Sequence, residues 1–416
     1  MFSSSSSSPS PSETLTLIPL SSSSSSSSQS LLIPGLPNDI SSLILCSLPL
    51  PLHPRLRSVS RLWRSFLSPS SLLPLRRLLR RSSHLLLLFP SDPSLSSPLL
   101  LDPLTCSPLF LPPLPVSPYL YALSNFLPSF IFPHLFLLGG SLLDARSYPL
   151  NHPLSSRSAF RLDLSSPVSG WSRLPSMLVP RGSFACAALP HANSILVAGG
   201  GSRHPMFPSG GGARTATVER LDVASGEWTA VGDGMPAGRA GCTGFVRRGE
   251  FWVMGGYAGY RTVAGVVPED VFCKDAVAMD LETGRWREVG DMWEDGERRK
   301  LGKVGVVEGM GGEGDPGVFM LDNNDMYRYD FALNRWLKES SLPRKLPSEE
   351  SCCFVAMNGE LYVMTSSYSP RPPKKRPALE IQVYNPIKGK WRLRTTNLPF
   401  NHLIDFKAAV SCTVKL

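Results

Sequence analysis

Residues 181–188 read RGSFACAA, and the phrases ILVAGG (195–200), VERLD (218–222) and SGEW (225–228) follow them. The same four phrases return in the same order as RAGCTGF (239–245), FWVMGG (251–256), AVAMD (276–280) and TGRW (283–286). Trp228 and Trp286, which close the two lines, lie 58 residues apart. A fixed period of this size is typical of repeat architectures, in which each repeat is one supersecondary unit.

Four further units contain the same phrases less completely. The Trp residues at 171, 228, 286, 336 and 391 are spaced by 57, 58, 50 and 55 residues. A first unit, residues 85–111, has three strand-like runs but neither the glycine pair nor the tryptophan. Each unit predicts four strands joined by tight turns, such as the hairpin turn at Asn358-Gly359. Such sheets bury both faces by stacking radially, so the pattern predicts a six-bladed β-propeller.

The first unit lacks a convincing opening strand, and the end of the chain offers one. Residues 406–414 read FKAAVSCTV, which is similar to the opening phrase of the other units. We therefore expect residues 406–414 to return to the first blade and to close the ring.

The Gly-Gly, Tyr-Asp and Trp landmarks occur here in the order of kelch repeats, which the region resembles. The resemblance covers residues 84–416, is strongest in units two to four, and is weaker where Leu321-Asp322 and Thr365-Ser366 replace the glycine pair. It implies a mainly β fold, a six-bladed kelch-type β-propeller whose glycines and tryptophans are packing residues.

Residues 34–81 differ in character and predict a small all-α module. Asn38 or Asp39 can cap a first helix, and Pro54 suits the first turn of a second helix that runs to Leu67. The phrases LPNDI (36–40) and VSRLWRSF (59–66) resemble those of an F-box, although the proline-rich middle, residues 49–54, departs from that pattern. The resemblance implies docking on a Skp1-type adaptor and, through it, on a cullin. The implied contact residues are Leu36, Pro37, Ile40, Val59 and Trp63.

The N-terminal residues 1–33 are Ser-rich and nearly free of acidic residues, which predicts disorder. An organellar targeting segment is a second interpretation of the same composition. No apolar run approaches the length of a membrane span. The net charge of +9 is not concentrated in one stripe, which argues against nucleic acid as a partner.

No motif in the chain predicts catalysis, a metal site or a cofactor. Residues 309–314 read GMGGEG and match a dinucleotide-binding motif, but no helix follows them. The seven histidines share no ligand spacing, and the eight cysteines form no C-x-x-C pair. The cysteines are interpreted as buried thiols of a reducing compartment, the cytoplasm or nucleus or both.

Long connections between the second and third strands of a blade emerge on one face of a propeller. Here these are residues 141–157, 201–214, 257–274 and 366–379, and they are rich in Arg and Tyr, which are frequent at protein interfaces. We predict that this face binds a target protein. The candidate contacts are Arg146, Tyr148, Arg203, His204, Tyr257, Tyr260, Arg261, Tyr368 and Arg371.

Together the two regions resemble plant F-box/kelch-repeat proteins. The resemblance implies a non-catalytic substrate-recognition subunit of a Skp1–cullin–F-box ubiquitin ligase, which promotes ubiquitination of a target the sequence does not name. The alternatives are a kelch scaffold without a ligase and, third, a propeller enzyme.

Overall fold

The computed structural model describes residues 31–89, 97–115, 120–124, 126–144, 154–201, 214–263, 267–293, 300–310, 315–348, 351–368, 376–407 and 409–416. The chain divides into two compact units, residues 1–44 and 45–416. Most of the Ser-rich segment, residues 1–30, lies outside the described residues, as do residues 311–314 of the GMGGEG stretch. Among the described helices, none combines the length and the apolar character that crossing a membrane requires.

In the described residues, four α-helices precede the first strand. They are α1 (Asn38–Ser47), α2 (His53–Leu56), α3 (Arg61–Phe66) and α4 (Pro69–Leu78). The small all-α region ahead of the β domain is therefore confirmed.

The prediction of one continuous second helix is wrong, because serines interrupt it. Ser58 Oγ donates a hydrogen bond to the Arg55 carbonyl at 2.7 Å and closes the end of α2. Ser60 is extended, and its Oγ accepts a hydrogen bond from the Trp63 amide at 3.1 Å, which caps α3. A side-chain cap of this kind begins a new helix rather than continuing the old one.

Twenty-nine β-strands follow in the described residues. The first fourteen are β1 (His84–Phe89), β2 (Leu99–Asp102), β3 (Ser107–Phe110), β4 (Leu120–Ser124), β5 (Leu127–Ile131), β6 (His134–Leu138), β7 (Ser141–Asp144), β8 (Leu154–Ser155), β9 (Ala159–Asp163), β10 (Trp171–Arg173), β11 (Ala185–Leu189), β12 (Ser194–Ala198), β13 (Val218–Asp222) and β14 (Trp228–Ala230). The others are β15 (Thr243–Arg247), β16 (Glu250–Met254), β17 (Tyr257–Val263), β18 (Val267–Phe272), β19 (Asp275–Asp280), β20 (Trp286–Asp291), β21 (Lys303–Val307), β22 (Gly317–Asp322), β23 (Asp325–Asp330), β24 (Arg335–Ser341), β25 (Cys353–Met357), β26 (Glu360–Tyr368), β27 (Pro377–Asn385), β28 (Lys390–Asn397) and β29 (Val410–Lys415).

Six four-stranded antiparallel sheets are formed by these strands and confirm the six-bladed propeller. Their strand orders, from blade 1 to blade 6, are β29-β1-β2-β3, β5-β6-β9-β10, β11-β12-β13-β14, β15-β16-β19-β20, β21-β22-β23-β24 and β25-β26-β27-β28. The first strands of neighbouring blades contact each other, as β5 does with β11 and β11 with β15. The sheets therefore stand around a common axis, and apolar clusters fill the space between successive blades.

The ring closes through its last strand. Strand β29 pairs antiparallel with β1 from His84↔Lys415 to Phe89↔Val410, and it also contacts β25 and β5. The strand begins at Val410 rather than at residue 406, because the Ala409 amide donates to the Asp405 carbonyl at 3.0 Å and closes a turn there, while Phe406 is buried in the apolar cluster of blades 1 and 6. Blade 1 is thus built from both ends of the propeller sequence, which leaves no open edge at the junction.

A charge placed in β29 should open this junction. Val414 is 1% exposed, whereas Ile387 in a turn of blade 6 is 81% exposed. We expect Val414→Asp to lower the free energy of unfolding by about 3 kcal/mol or more, because it buries an unpaired carboxylate. The control Ile387→Asp should change it by less than about 0.5 kcal/mol. Chemical denaturation measures both, and equal effects would contradict a closure through β29.

The turn between the third and fourth strands is organised alike in every blade. The last residue of the third strand accepts backbone N–H groups two or three residues on, as Asp280 does from Glu282 and Thr283. The amide of Thr283 is the largest cause of the lowered pKa of Asp280. The equivalent residues are Asp102, Asp163, Asp222, Asp280, Asp330 and Asn385.

The tryptophans of blades 2 and 3 form hydrogen bonds to the preceding blade. Trp171 Nε1 donates to the Pro112 carbonyl at 2.9 Å, and Trp228 Nε1 donates to the Pro175 carbonyl at 3.0 Å. Each bond joins the fourth strand of one blade to the segment that follows the fourth strand of the preceding blade. This arrangement gives the tryptophans the packing role expected of them.

The glycine pairs let consecutive blades approach each other at the backbone. The Gly140 amide donates to the Arg181 carbonyl at 2.8 Å, and the Gly200 amide donates to the Arg239 carbonyl at 2.8 Å. Gly199 has a φ of +72°, and a Cβ atom there would lie 2.5 Å from the Arg239 carbonyl oxygen. Any side chain at this position would therefore clash with the next blade.

Two glycine substitutions compare Gly199, which has a positive φ and a close contact to the next blade, with Gly259, which has neither. Gly199→Ala adds backbone strain at a positive φ and a steric clash, so we expect a loss of roughly 2–4 kcal/mol in unfolding free energy. Gly259 has no positive φ and nothing within 4 Å of a Cβ, so Gly259→Ala should be within about 0.5 kcal/mol of wild type. Thermal or chemical unfolding compares them, and a tolerated Gly199→Ala would refute the packing role.

Candidate interaction surfaces

The helical region leaves large apolar side chains exposed. In the first unit, Ile40, Leu43 and Ile44 of α1 are each more than a third exposed. In the second unit, Val59 is 62% exposed and Leu62 of α3 is also exposed. Apolar side chains grouped on such short helices indicate surfaces that a partner covers.

The five predicted adaptor contacts fall in this region but differ in exposure. Pro37, Ile40 and Val59 are exposed, whereas Leu36 and Trp63 are partly buried. Trp63 lies in the first turn of α3, whose start is fixed by the Ser60 cap. Their role in adaptor binding stays a prediction, and the exposure of Val59 makes it the most informative position to change.

Arg76 of α4 is a buried residue whose importance the sequence did not indicate. Its Nη1 donates to the carbonyls of Cys46 and Leu48 at 2.5 and 2.8 Å, and its Nη2 donates to Ser83 Oγ at 2.7 Å. Burial and the nearby Arg76 guanidinium lower the pKa of His53 to about 4, so this buried imidazole is neutral at neutral pH. Arg76 thereby ties α4 to the end of α1 and to the residue before β1.

In blades 2, 4 and 6 the described residues of the connections between second and third strands include β-strands, which their interpretation as loops did not predict. Most of the blade 3 connection, residues 202–213, lies outside the described residues. In blade 4 the connection forms the hairpin β17–β18, and in blade 2 it contributes β7 and β8 to a three-stranded sheet with β4. In blade 6, β26 and β27 simply continue and pair out to Tyr368↔Pro377. Pairing satisfies backbone groups that a long loop would have to leave to water.

The predicted target contacts are distributed over these connections. Tyr260 and Arg261 lie on β17, and Tyr368 is exposed at the end of β26. Arg146, Tyr148, Arg203, His204 and Arg371 lie outside the described residues. The assignment of this face to target binding therefore remains a prediction.

Tyr257 does not fit its predicted role as an exposed contact. It is 8% exposed, and the Arg214 guanidinium lies 4.9 Å from its ring centre. A Cβ atom at Gly241 would lie 2.7 Å from its ring carbon Cε1. Tyr257 packs at the base of the β17–β18 hairpin because the glycine at 241 leaves room for its ring, so we assign it a structural role.

A buried ion pair fixes the base of the connection in blade 3. Arg181 precedes β11, and its Nη2 lies 2.7 Å from Glu219 Oε1 on β13. Its Nη1 donates to the carbonyls of Gly199 and Thr217, the residues that begin and end this connection. Blade 4 repeats the device with Arg239 Nη2 2.9 Å from Asp275 Oδ2. The arginines were visible in the repeated phrases, but their partners became apparent only in the fold.

A cleft of about 520 Å³ lies on the opposite face and is lined by residues of blades 3, 4 and 5. Its lining is mainly aliphatic, including Leu189, Leu196, Val246 and Met279, and its charged or ionisable residues are His191, Arg220 and Glu308.

Comparisons with known proteins agree with this architecture. An F-box domain matches residues 33–74, which include α1, α2 and α3. F-box/kelch-repeat protein OR23 from Arabidopsis thaliana is 44% identical over 413 residues, which cover 92% of each chain.

Two further relatives match the chain over shorter lengths. F-box/kelch-repeat protein SKIP30 from Arabidopsis thaliana is 30% identical over 56% of this chain and 62% of its own length. Alpha-scruin from Limulus polyphemus is 26% identical over 53% of this chain and 23% of its own length. The F-box match, the six blades and the extent of the similarity to OR23 agree, and the chain belongs to the plant F-box/kelch-repeat proteins.

Proposed function

We propose that this protein is the substrate-recognition subunit of a Skp1–cullin–F-box ubiquitin ligase. F-box domains bind Skp1-type adaptors and kelch propellers bind substrates, so the family fits such an adaptor role. The observation that carries the proposal is an F-box segment with exposed apolar side chains, joined to a closed propeller. The protein would act in the cytoplasm, the nucleus or both.

The adaptor would cover apolar surface that the chain itself leaves in water. Burying apolar area contributes roughly 25 cal/mol per Å², so a Val or Ile side chain contributes about 1.5–3 kcal/mol on full burial. Ile40 and Val59 are both exposed in the chain alone. Several such side chains suffice for a specific interface, provided a partner of complementary shape is present.

The target would bind the propeller face that carries the connections between second and third strands. The bases of these connections are held in place, in blade 3 by Arg181 and in blade 4 by Arg239. Fixed bases reduce the conformational entropy lost on binding, while the distal parts differ between blades and supply specificity.

Catalysis in this mechanism comes from proximity alone. The F-box holds the ligase, the propeller holds the target, and the ubiquitin-carrying enzyme of the complex meets lysines of the target at high effective concentration. No side chain of this chain needs to form a covalent intermediate.

A pair of matched substitutions tests adaptor binding. Val59 lies inside the F-box match, whereas Leu78, at the end of α4, lies outside it and is 79% exposed. We expect Val59→Glu to weaken binding of a plant Skp1-type adaptor by about 30-fold or more, because it places a charge in an apolar interface worth about 2 kcal/mol. Leu78→Glu should change the affinity by less than about twofold. Calorimetry with purified full-length proteins measures both.

Failure of this test would favour the scaffold alternative. If the wild-type chain does not bind the adaptor, the ligase role is refuted, and if the two glutamate variants bind it equally, Val59 is not part of the adaptor interface. Circular dichroism of the variants shows whether a loss of binding reflects unfolding rather than the interface.

A further inference from the structure

The hairpin β17–β18 stands apart from the blade that it leaves. It connects β16 to β19 of blade 4, but its two strands pair with each other as a separate two-stranded sheet. Apart from a single bridge between Tyr257 and Ala240, no other described strand pairs with either long edge of this hairpin. Open edges of this kind present backbone N–H and C=O groups to which a further strand can bind.

Pro268 establishes which backbone groups of the hairpin point outward. It pairs with Thr262, and because proline has no N–H, this pair belongs to the non-hydrogen-bonded positions of the ladder. Antiparallel pairs alternate, so Tyr260↔Asp270 is also non-hydrogen-bonded, whereas Arg261↔Glu269 exchanges hydrogen bonds. Tyr260 and Thr262 therefore turn their N–H and C=O groups away from β18.

The bridge at Ala240 gives the same answer independently. The Tyr257 amide donates to the Ala240 carbonyl at 2.8 Å, and the Ala240 amide donates to the Tyr257 carbonyl at 3.0 Å. Tyr257 therefore also turns its backbone away from β18. The irregularity between Tyr257 and Gly259 shifts the alternation by one residue, so the next outward residues on β17 are Tyr260 and Thr262.

The two edges of the hairpin differ in their ability to accept a strand. The β18 edge presents Pro268, which has no donor, and this strand also carries Glu269 and Asp270. Proline and charge are the usual means by which natural edge strands avoid pairing. The β17 edge contains no proline and one charged residue, Arg261, and it continues a ladder that the Ala240 bridge has already begun.

We propose that an extended segment of the target protein adds to the edge of β17, pairing with Tyr260 and Thr262 as a third strand. The proposal rests on the proposed function, since it specifies how the propeller holds its target. Main-chain hydrogen bonds would supply affinity, and alternate side chains of the segment would supply specificity. The β17 edge is short, so a strand that pairs with it buries little area. A stable dimer buries at least about 1,200 Å², which favours a target protein with additional contacts on the same face over a second copy of this chain.

The matched variants are proline substitutions on the two edges. Thr262→Pro removes an outward donor from β17, and Asp270→Pro removes an outward donor from β18. Neither change touches a hydrogen bond inside the hairpin, so both variants should fold and melt within about 4 °C of wild type.

A displayed library of random 12-residue peptides is selected against the full-length wild-type chain. We expect the selected peptides to bind Thr262→Pro at least tenfold more weakly and Asp270→Pro within twofold of wild type. In an added strand, every second residue donates its N–H to β17. N-methylation of those residues should abolish binding, whereas N-methylation of the residues between them should leave binding unchanged.

Hydrogen exchange provides a measurement without substitutions. In the free chain, the amides of Tyr260 and Thr262 should exchange fast and those of Arg261 and Val263 slowly. A bound peptide should slow the exchange of Tyr260 and Thr262 specifically.

Several results would overturn the inference. These are peptides that bind wild type and Thr262→Pro equally, a selection that yields no peptide dependent on Thr262, and exchange rates that lack the alternation. A wild-type dimer in sedimentation that Thr262→Pro abolishes would make a second copy the occupant and would equally refute the proposal. Adaptor binding by the wild-type chain reports separately on the ligase role, so the two failures are distinguishable.

Discussion

The guanidinium of Arg181 is the constraint on which the best-preserved part of the propeller depends. An arginine side chain has five N–H donors, and here each has a partner: two bonds go to Glu219, one to Thr217 Oγ1 and two to the carbonyls of Gly199 and Thr217. Glu219 accepts in addition the amides of Leu178 and Val179. A buried ion pair is tolerated only when its remaining hydrogen-bonding groups are satisfied, and breaking one typically costs about 3–5 kcal/mol.

Arg181 stabilises both the connection within blade 3 and the contact between blades 2 and 3. The carbonyl of Arg181 accepts the amide of Gly140 in the preceding blade, while its side chain holds the two ends of the blade 3 connection. Arg239 repeats the arrangement, but its bonds to the carbonyls of Gly255 and Asp275 are longer, at 3.5 and 3.4 Å. The carboxylate of Asp275, its ion-pair partner, is also more exposed than that of Glu219. The ion pair in blade 3 is therefore the more buried and more fully hydrogen-bonded of the two.

The repeat was predictable from the sequence because the glycine pairs of blades 2 to 4 and the tryptophans of blades 2 to 6 recur at matching positions. Gly199 avoids a steric clash with the next blade, and Trp228 donates a hydrogen bond to the preceding blade. Each requirement restricts the residue type at its position, which makes the position visible in the sequence. The strands of the hairpin β17–β18 could not be predicted from the repeat because their sequences match none of the four phrases that recur between blades. The burial of Tyr257 depends on Gly241 across the fold, a contact that no local pattern encodes. The break at Ser58–Ser60 was missed because the apolar spacing continues through it, while a side-chain cap decides where α3 begins.

The helical region and the closure of the ring meet at one residue. Ser83 Oγ accepts a hydrogen bond from Arg76, which also binds the carbonyls of Cys46 and Leu48. The backbone of Ser83 exchanges hydrogen bonds with Leu416, directly after the strand that completes blade 1. The end of α1, helix α4 and the last residue of the chain are therefore held at a common point. Moving α4 away from Ser83 would cost the buried Arg76 guanidinium one of its three hydrogen bonds, and the helices from residue 45 onward belong to the same compact unit as the propeller.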